Sequence, residues 1–167
     1  MSAVKTPATR ASRAIAGTQL YVHPGQVCVG AGPESFITIL GSCVAVCLHD
    51  AALGVGGLNH FLLPHPADGT EQSPRYALGA IERLIAQLAA QGARKERLAA
   101  HVVGGASVLL AFSNDTNHLG KRNVTAACET LARLRIPVVS TDVGGIRGRK
   151  LVFTPRDGTR VVELIGR

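Results

Sequence analysis

The order of segments predicts a mixed α/β domain, a layered sandwich of β-sheet and helices, and three observations carry that prediction. Apolar β-rich segments come in runs instead of alternating strictly with helices, two amphipathic helices interrupt those runs, and Gly, Pro and Asp-Gly punctuation marks short turns between them. With 167 residues, 46% of them hydrophobic, the chain can bury one substantial core and is too short for two domains of ordinary size.

Residues 1–19 mix Ala, Thr, Ser, Arg and Lys without a firm period and read as a flexible N-terminal extension. Residues 20–167 are expected to form a single domain whose fold begins near Tyr21. "SFITIL" (35–40) and "CVAVCLH" (43–49) are strand-like and joined by Gly41 and Ser42, and "VGGLNHFLL" (55–63) follows a short turn. After a polar loop, Ser73 and Pro74 predict a helix start by N-cap and first-turn proline. Ala77, Ile81, Leu84, Ile85 and Leu88 recur at helical spacing, and Gly92 supplies the C-terminal stop. A strand is expected at "AAHVV" (99–103), while periodicity does not decide between helix and strand for "ASVLLAF". A second helix is expected from about Asn123 to Leu134, before Pro137. "PVVSTD", "KLVFT" and "RVVELI" complete the strands, with Gly144, Gly145, Gly148 and Asp157-Gly158 at their turns.

Composition excludes several function classes. There is no run of about 20 apolar residues and no secretory signal pattern, so the chain reads as cytoplasmic. In a reducing compartment Cys28, Cys43, Cys47 and Cys128 are expected as free thiols. Residues 1–90 carry five basic and five acidic side chains, so the whole net charge of +7 lies in residues 91–167. A basic face raises nucleic acid as a partner, yet aromatics are only 4%, Trp is absent and no RNA-binding or finger motif occurs. A solvated basic face is the simpler reading. The Gly-rich "VGGAS" and "DVGGIRGRK" lack the spacing of phosphate loops and read as turns.

Cys43 is the residue that composition does not explain. Cys47 lies inside an apolar run, as a structural cysteine should, whereas Cys43 follows a Gly-Ser turn whose backbone N–H groups could hold an oxyanion. A thiol nucleophile needs a base, and His60, on the next strand of a hairpin returning through Asp50-Ala51, is the candidate. A zinc site using Cys43, Cys47, His49, His60 or His65 competes, but C-x2-C spacing is missing. The bland alternative is a small buried Cys and a satisfied core His.

"LGSCVAVCLHD", "GGLNHFLLP", "RYA" (75–77), "VGGAS" (103–107), "GKRNV" (120–124) and "IPVVSTDVGGIRGRKLVF" (136–153) together resemble the CheD family of chemoreceptor glutamine deamidases, over about residues 20–165. The resemblance implies a sandwich similar to the catalytic domain of cytotoxic necrotizing factor, with Cys43 as nucleophile and His60 as general base. It implies conversion of receptor Gln to Glu without metal or organic cofactor, and in some members hydrolysis of receptor methyl esters. Implied partners are chemoreceptors and a CheC-type phosphatase, with no nucleic acid and no membrane insertion. Arg147, Arg149 and Lys150 are candidates to meet an acidic receptor face. The family also carries a Thr expected six residues before the nucleophile, where Ile37 stands. Thr38 is one position later, and strand alternation would turn it toward solvent unless a bulge or shorter turn intervenes. Asn59 is a second, poorly directed candidate to orient His60. The competing readings are a non-catalytic chemotaxis adaptor and an amidase for small molecules.

Overall fold

The computed structural model describes residues 17–69, 72–109 and 114–166; most of the expected N-terminal extension therefore lies outside the described residues. Nine strands and two α-helices are described: β1 (Gln19–Tyr21), β2 (Val27–Gly30), β3 (Ser35–Leu40), β4 (Val44–Asp50), β5 (Val55–Asn59), α1 (Ala77–Ala90), β6 (Leu98–Gly104), α2 (Leu119–Arg133), β7 (Val138–Val143), β8 (Gly148–Phe153) and β9 (Arg160–Ile165). They make two sheets, β1-β3-β8-β9 and β2-β5-β4-β6-β7.

Alternation along β4 separates two cores. Val44, Val46 and Leu48 pack with Phe61, Ile81, Leu84, Leu88 and Leu131 beneath the helices, while Ala45 and Cys47 pack with Phe36, Leu40, Leu58, Leu151 and Phe153 between the sheets. The layers are therefore helices, five-stranded sheet, four-stranded sheet. Each fully buried Leu or Phe contributes on the order of 1.5–3 kcal/mol, so both faces of the central sheet stabilise the fold. Gly56 and Gly57 allow this close stacking: a Cβ on Gly56 would meet the Phe153 ring at 3.0 Å, and one on Gly57 would meet the Leu84 side chain at 2.8 Å.

The expected mixed α/β layering holds, with specific differences. β3 and β4 are consecutive in sequence but belong to different sheets, because the chain crosses the sandwich at Gly41-Ser42. β1 begins at Gln19, two residues ahead of Tyr21, pairing in parallel with β3. β2, unanticipated, pairs antiparallel with β5 and places Cys28 opposite Leu58. The first helix starts at Ala77, not at Ser73-Pro74: Leu62 and Leu63 both donate to the Arg75 carbonyl, and Tyr76 bridges Leu63, so those residues are held extended until Tyr76 is passed. Gly92 takes φ +92° after α1, as expected. α2 starts four residues earlier than expected, at Leu119, because the His118 side chain accepts the Lys121 N–H and acts as its cap. Of "ASVLLAF", residues 106–109 form no regular element and residues 110–112 lie outside the described residues.

Candidate active site

The hairpin of β4 and β5 brings the two candidate residues onto one face. The register pairs Cys47 with Leu58 and Leu48 with Gly57, and beyond β5 it continues to a bridge between Val44 and Phe61. In that register His60 faces Ala45 and Cys43 faces Leu62, so Cys43 and His60 are diagonal neighbours. Such neighbours are separated by about 7–8 Å between backbones, within side-chain reach. Both point into the space between the sheets, where Cys43 is half-buried and His60 is 2% exposed.

Thr38 arrives from the opposite sheet. Its side chain is fully buried, its Oγ1 lies 2.8 Å from His60 Nδ1, and it donates to the Val22 carbonyl at 2.7 Å. The expected solvent-facing Thr38 is thus corrected. Alternation of faces holds only within one sheet, and the crossover at Gly41-Ser42 resets it, so inward Thr38 on β3 and inward Cys43 beside β4 meet across the seam. Asn59 does not orient His60: its Oδ1 accepts the Val46 N–H at 2.9 Å, on the helix side of the sheet.

The hydroxyl sets the imidazole tautomer. Thr38 has one proton and gives it to Val22, so toward His60 it can only accept; Nδ1 therefore carries the hydrogen and Nε2 keeps its lone pair. His60 Nε2 is buried without a hydrogen-bond partner among the described residues. Burial, chiefly, draws the His60 pKa down to about 4, with the Val22 carbonyl raising it and His23 lowering it further. Burial also pushes the Cys43 thiol up, offset in part by its own backbone N–H. Thiol and imidazole therefore rest neutral together, an arrangement in which Nε2 can take the thiol proton as sulfur attacks.

The surroundings shape access. A cavity of about 330 Å3 opens beside Ser42, lined by Ala106, Val108, Leu119, Gly120 and Arg122 among others. Gly105 (φ +68°) packs against the start of α2, and a Cβ on Gly120 would collide with the Gly105 carbonyl, so only glycines allow this approach. No group of three or more His, Cys, Asp or Glu side chains among the described residues could hold a metal ion. Of the three basic residues expected to meet an acidic partner, Arg149 is buried, bonded to Asp142 at 2.8 Å and to the Gly144 carbonyl, so it is not available. Arg147 donates to the Gly166 and Leu164 carbonyls.

The profile of the family described as CheD chemotactic sensory transduction matches residues 62–164. A relative from Anaeromyxobacter dehalogenans, a probable chemoreceptor glutamine deamidase CheD 1, is 51% identical over 145 residues, covering 87% of this chain and 84% of that protein. The chain belongs to the CheD family. Further CheD relatives, each named a probable chemoreceptor glutamine deamidase, come from Trichlorobacter lovleyi (45% identical; 88% of this chain, 89% of the relative) and Methanococcus maripaludis (38% identical; 86% and 94%). The family profile begins after Cys43 and His60, but an alignment over 145 of 167 residues necessarily spans Thr38, Cys43 and His60. Asn123 is the residue of this CheD site that single-residue reasoning missed. It is fully buried, with Nδ2 donating at 2.9 Å to both the Ser42 and Leu62 carbonyls. Its sequence signal was its place inside "GKRNV", a polar residue on the inward face of a helix.

Proposed function

We propose that this CheD chain is a chemoreceptor glutamine deamidase in bacterial chemotaxis, with Cys43 as nucleophile, His60 as general base and acid, and Thr38 as the residue that orients His60. The supporting observation is the hydroxyl of Thr38, which fixes the His60 tautomer so that a lone pair at Nε2 is left on the face shared with Cys43. Sulfur adds to the side-chain amide carbon as its proton passes to Nε2. The tetrahedral adduct collapses with that proton delivered to the departing nitrogen, releasing ammonia and leaving a thioester. Water, deprotonated by the same Nε2, then releases Glu and restores the thiol. Residues flanking the target Gln would rest in the cavity beside Ser42, against the exposed Val108 and Leu109.

The same reading places the chain in the cytoplasm, where it would meet the receptors and a CheC-type phosphatase, and extends to fold kinship with the cytotoxic necrotizing factor catalytic domain. Among the described residues no helix is long and apolar enough to cross a membrane. Purified receptor fragments incubated with the protein should gain about one dalton per converted Gln, and Cys43→Ala should abolish the gain. An unchanged receptor mass with wild-type protein, alongside retained receptor binding, would favour the adaptor reading instead.

A further inference from the structure

The β4 ladder ends abruptly at the candidate nucleophile. Val44 and Phe61 exchange both backbone bonds, at 3.2 and 3.0 Å, so a regular antiparallel ladder would next pair Ser42 with Leu63. The Leu63 N–H instead donates to the Arg75 carbonyl, as does that of Leu62. Ser42 O thereby loses its strand donor, and the Asn123 amide takes that place while also holding Leu62 O.

On the other side of the strand a second bond is missing. Gly105 N–H donates to Cys43 O at 2.9 Å, and a regular pair would return the Cys43 N–H to Gly105 O. The positive φ of Gly105 instead brings its carbonyl against Gly120. The Cys43 N–H consequently meets no carbonyl among the described residues and has only its own sulfur beside it. Ser42 C=O and Cys43 N–H belong to one planar trans peptide unit and point in opposite directions, so whatever holds the first aims the second.

We propose that Asn123 is a positioning residue that aims the Cys43 backbone N–H as the donor for the oxyanion formed when sulfur adds to a carbonyl. In that step the S–C bond forms, the carbonyl π pair moves onto oxygen opposite the Cys43 N–H, and the thiol proton goes to His60 Nε2. A hydrogen bond from Asn123 to Ser42 O also polarises the peptide and strengthens its N–H as a donor. This inference rests on the reading of Cys43 as an acyl-transfer nucleophile but not on the identity of the substrate.

Two reagents separate aiming from mere structural support. Acetylation of Cys43 by p-nitrophenyl acetate passes through a tetrahedral oxyanion, whereas alkylation by iodoacetamide does not. Both are read at Cys43 by peptide mass spectrometry. In Asn123→Ala and Asn123→Ser the acetylation rate should fall by about 10- to 100-fold, the range of a weakened oxyanion donor, with alkylation held within about twofold. Parallel loss of both rates, or no loss of either, overturns the proposal. Should neither variant fold, amide hydrogen exchange in the wild-type protein decides. The Cys43 amide should exchange on the order of 100-fold faster than that of Val44, and equal protection means that it is already paired and overturns the idea. Neither reagent needs a receptor, so a failed receptor assay leaves the ratio readable and the two readings fail separately.

Discussion

The sandwich holds two triplets of the same chemistry, and only one leaves its cysteine partly exposed and its imidazole Nε2 without a partner among the described residues. On one side are Cys43, His60 and Thr38; on the other are Cys47, His101 and Ser140. Cys47 directly faces His101 in the β4–β6 register, and Ser140 Oγ lies 2.7 Å from His101 Nδ1, much as Thr38 meets His60. Both imidazoles are drawn down to about 4, chiefly by burial. The second triplet is nevertheless closed. Arg160 approaches His101 Nε2 at 3.3 Å and donates to Ser140 Oγ at 2.8 Å, occupying the position that His60 leaves open. Cys47 is fully buried, and burial pushes its thiol up to about 12 against the attraction of Arg160. A thiol beside an imidazole is therefore not sufficient. What separates the two is a partly exposed cysteine and an unpartnered ring nitrogen.

The largest test of that contrast exchanges the sulfurs. Cys43→Ala should reduce receptor deamidation to background, a loss on the order of 10^4-fold or more. Cys47→Ala should leave kcat within about twofold and lower stability by about 1–2 kcal/mol through lost packing, measured by denaturant unfolding. Comparable loss of activity in both would dissolve the distinction.

Next come the bases and their hydroxyls. His60→Gln should lower kcat by roughly 10^2- to 10^4-fold, the usual worth of a positioned general base, while His101→Gln should change it little. Thr38→Val frees the His60 tautomer, and loss of the bond that supports the imidazolium as it forms, worth about 1.5–3 kcal/mol to a charged ring, should lower kcat by about 10- to 100-fold with KM nearly constant. If KM rose instead with kcat preserved, Thr38 would shape binding and not the base.

The smallest effect is shared by both triplets. Each histidine titrates near 4 when folded and near 6.5 when unfolded, so below about pH 6.5 the unfolded chain binds protons that the native state refuses. Stability is therefore fully present above that pH and lost as the pH falls toward 4, by up to about 3 kcal/mol for each ring. Urea midpoints measured between pH 7 and 4 should decline steeply in the wild type and about half as steeply in His101→Gln. An unchanged slope would mean that His101 does not resist protonation.

Much of this was readable in the residues. The hairpin flanked by Cys43 and His60 followed from β-rich runs on either side of a short turn, and those runs reappear as β4 and β5. The parity of Thr38 misled because counting faces assumes one continuous sheet, and no local signal says that Gly41-Ser42 carries the chain across to a second one. β2 escaped because four residues flanked by glycines give too short a period to recognise, and its stability comes from pairing with β5. The helix starts shifted for two reasons: backbone bonds to Leu62 and Leu63, distant in sequence, hold Arg75 and Tyr76 extended ahead of α1, and a histidine, not one of the usual capping residues, caps α2. Arg149 looked like a surface charge because composition cannot reveal that its stem is buried while its guanidinium reaches Asp142 and a backbone carbonyl.

The crossover at Gly41-Ser42 has one more consequence. Since the hydroxyl is delivered by one sheet and the thiol and imidazole by the other, no fragment that folds a single sheet can assemble the reactive trio. The Thr38–His60 bond therefore forms only once the two halves of the sandwich have closed on each other, which makes the His60 tautomer a reporter of completed folding.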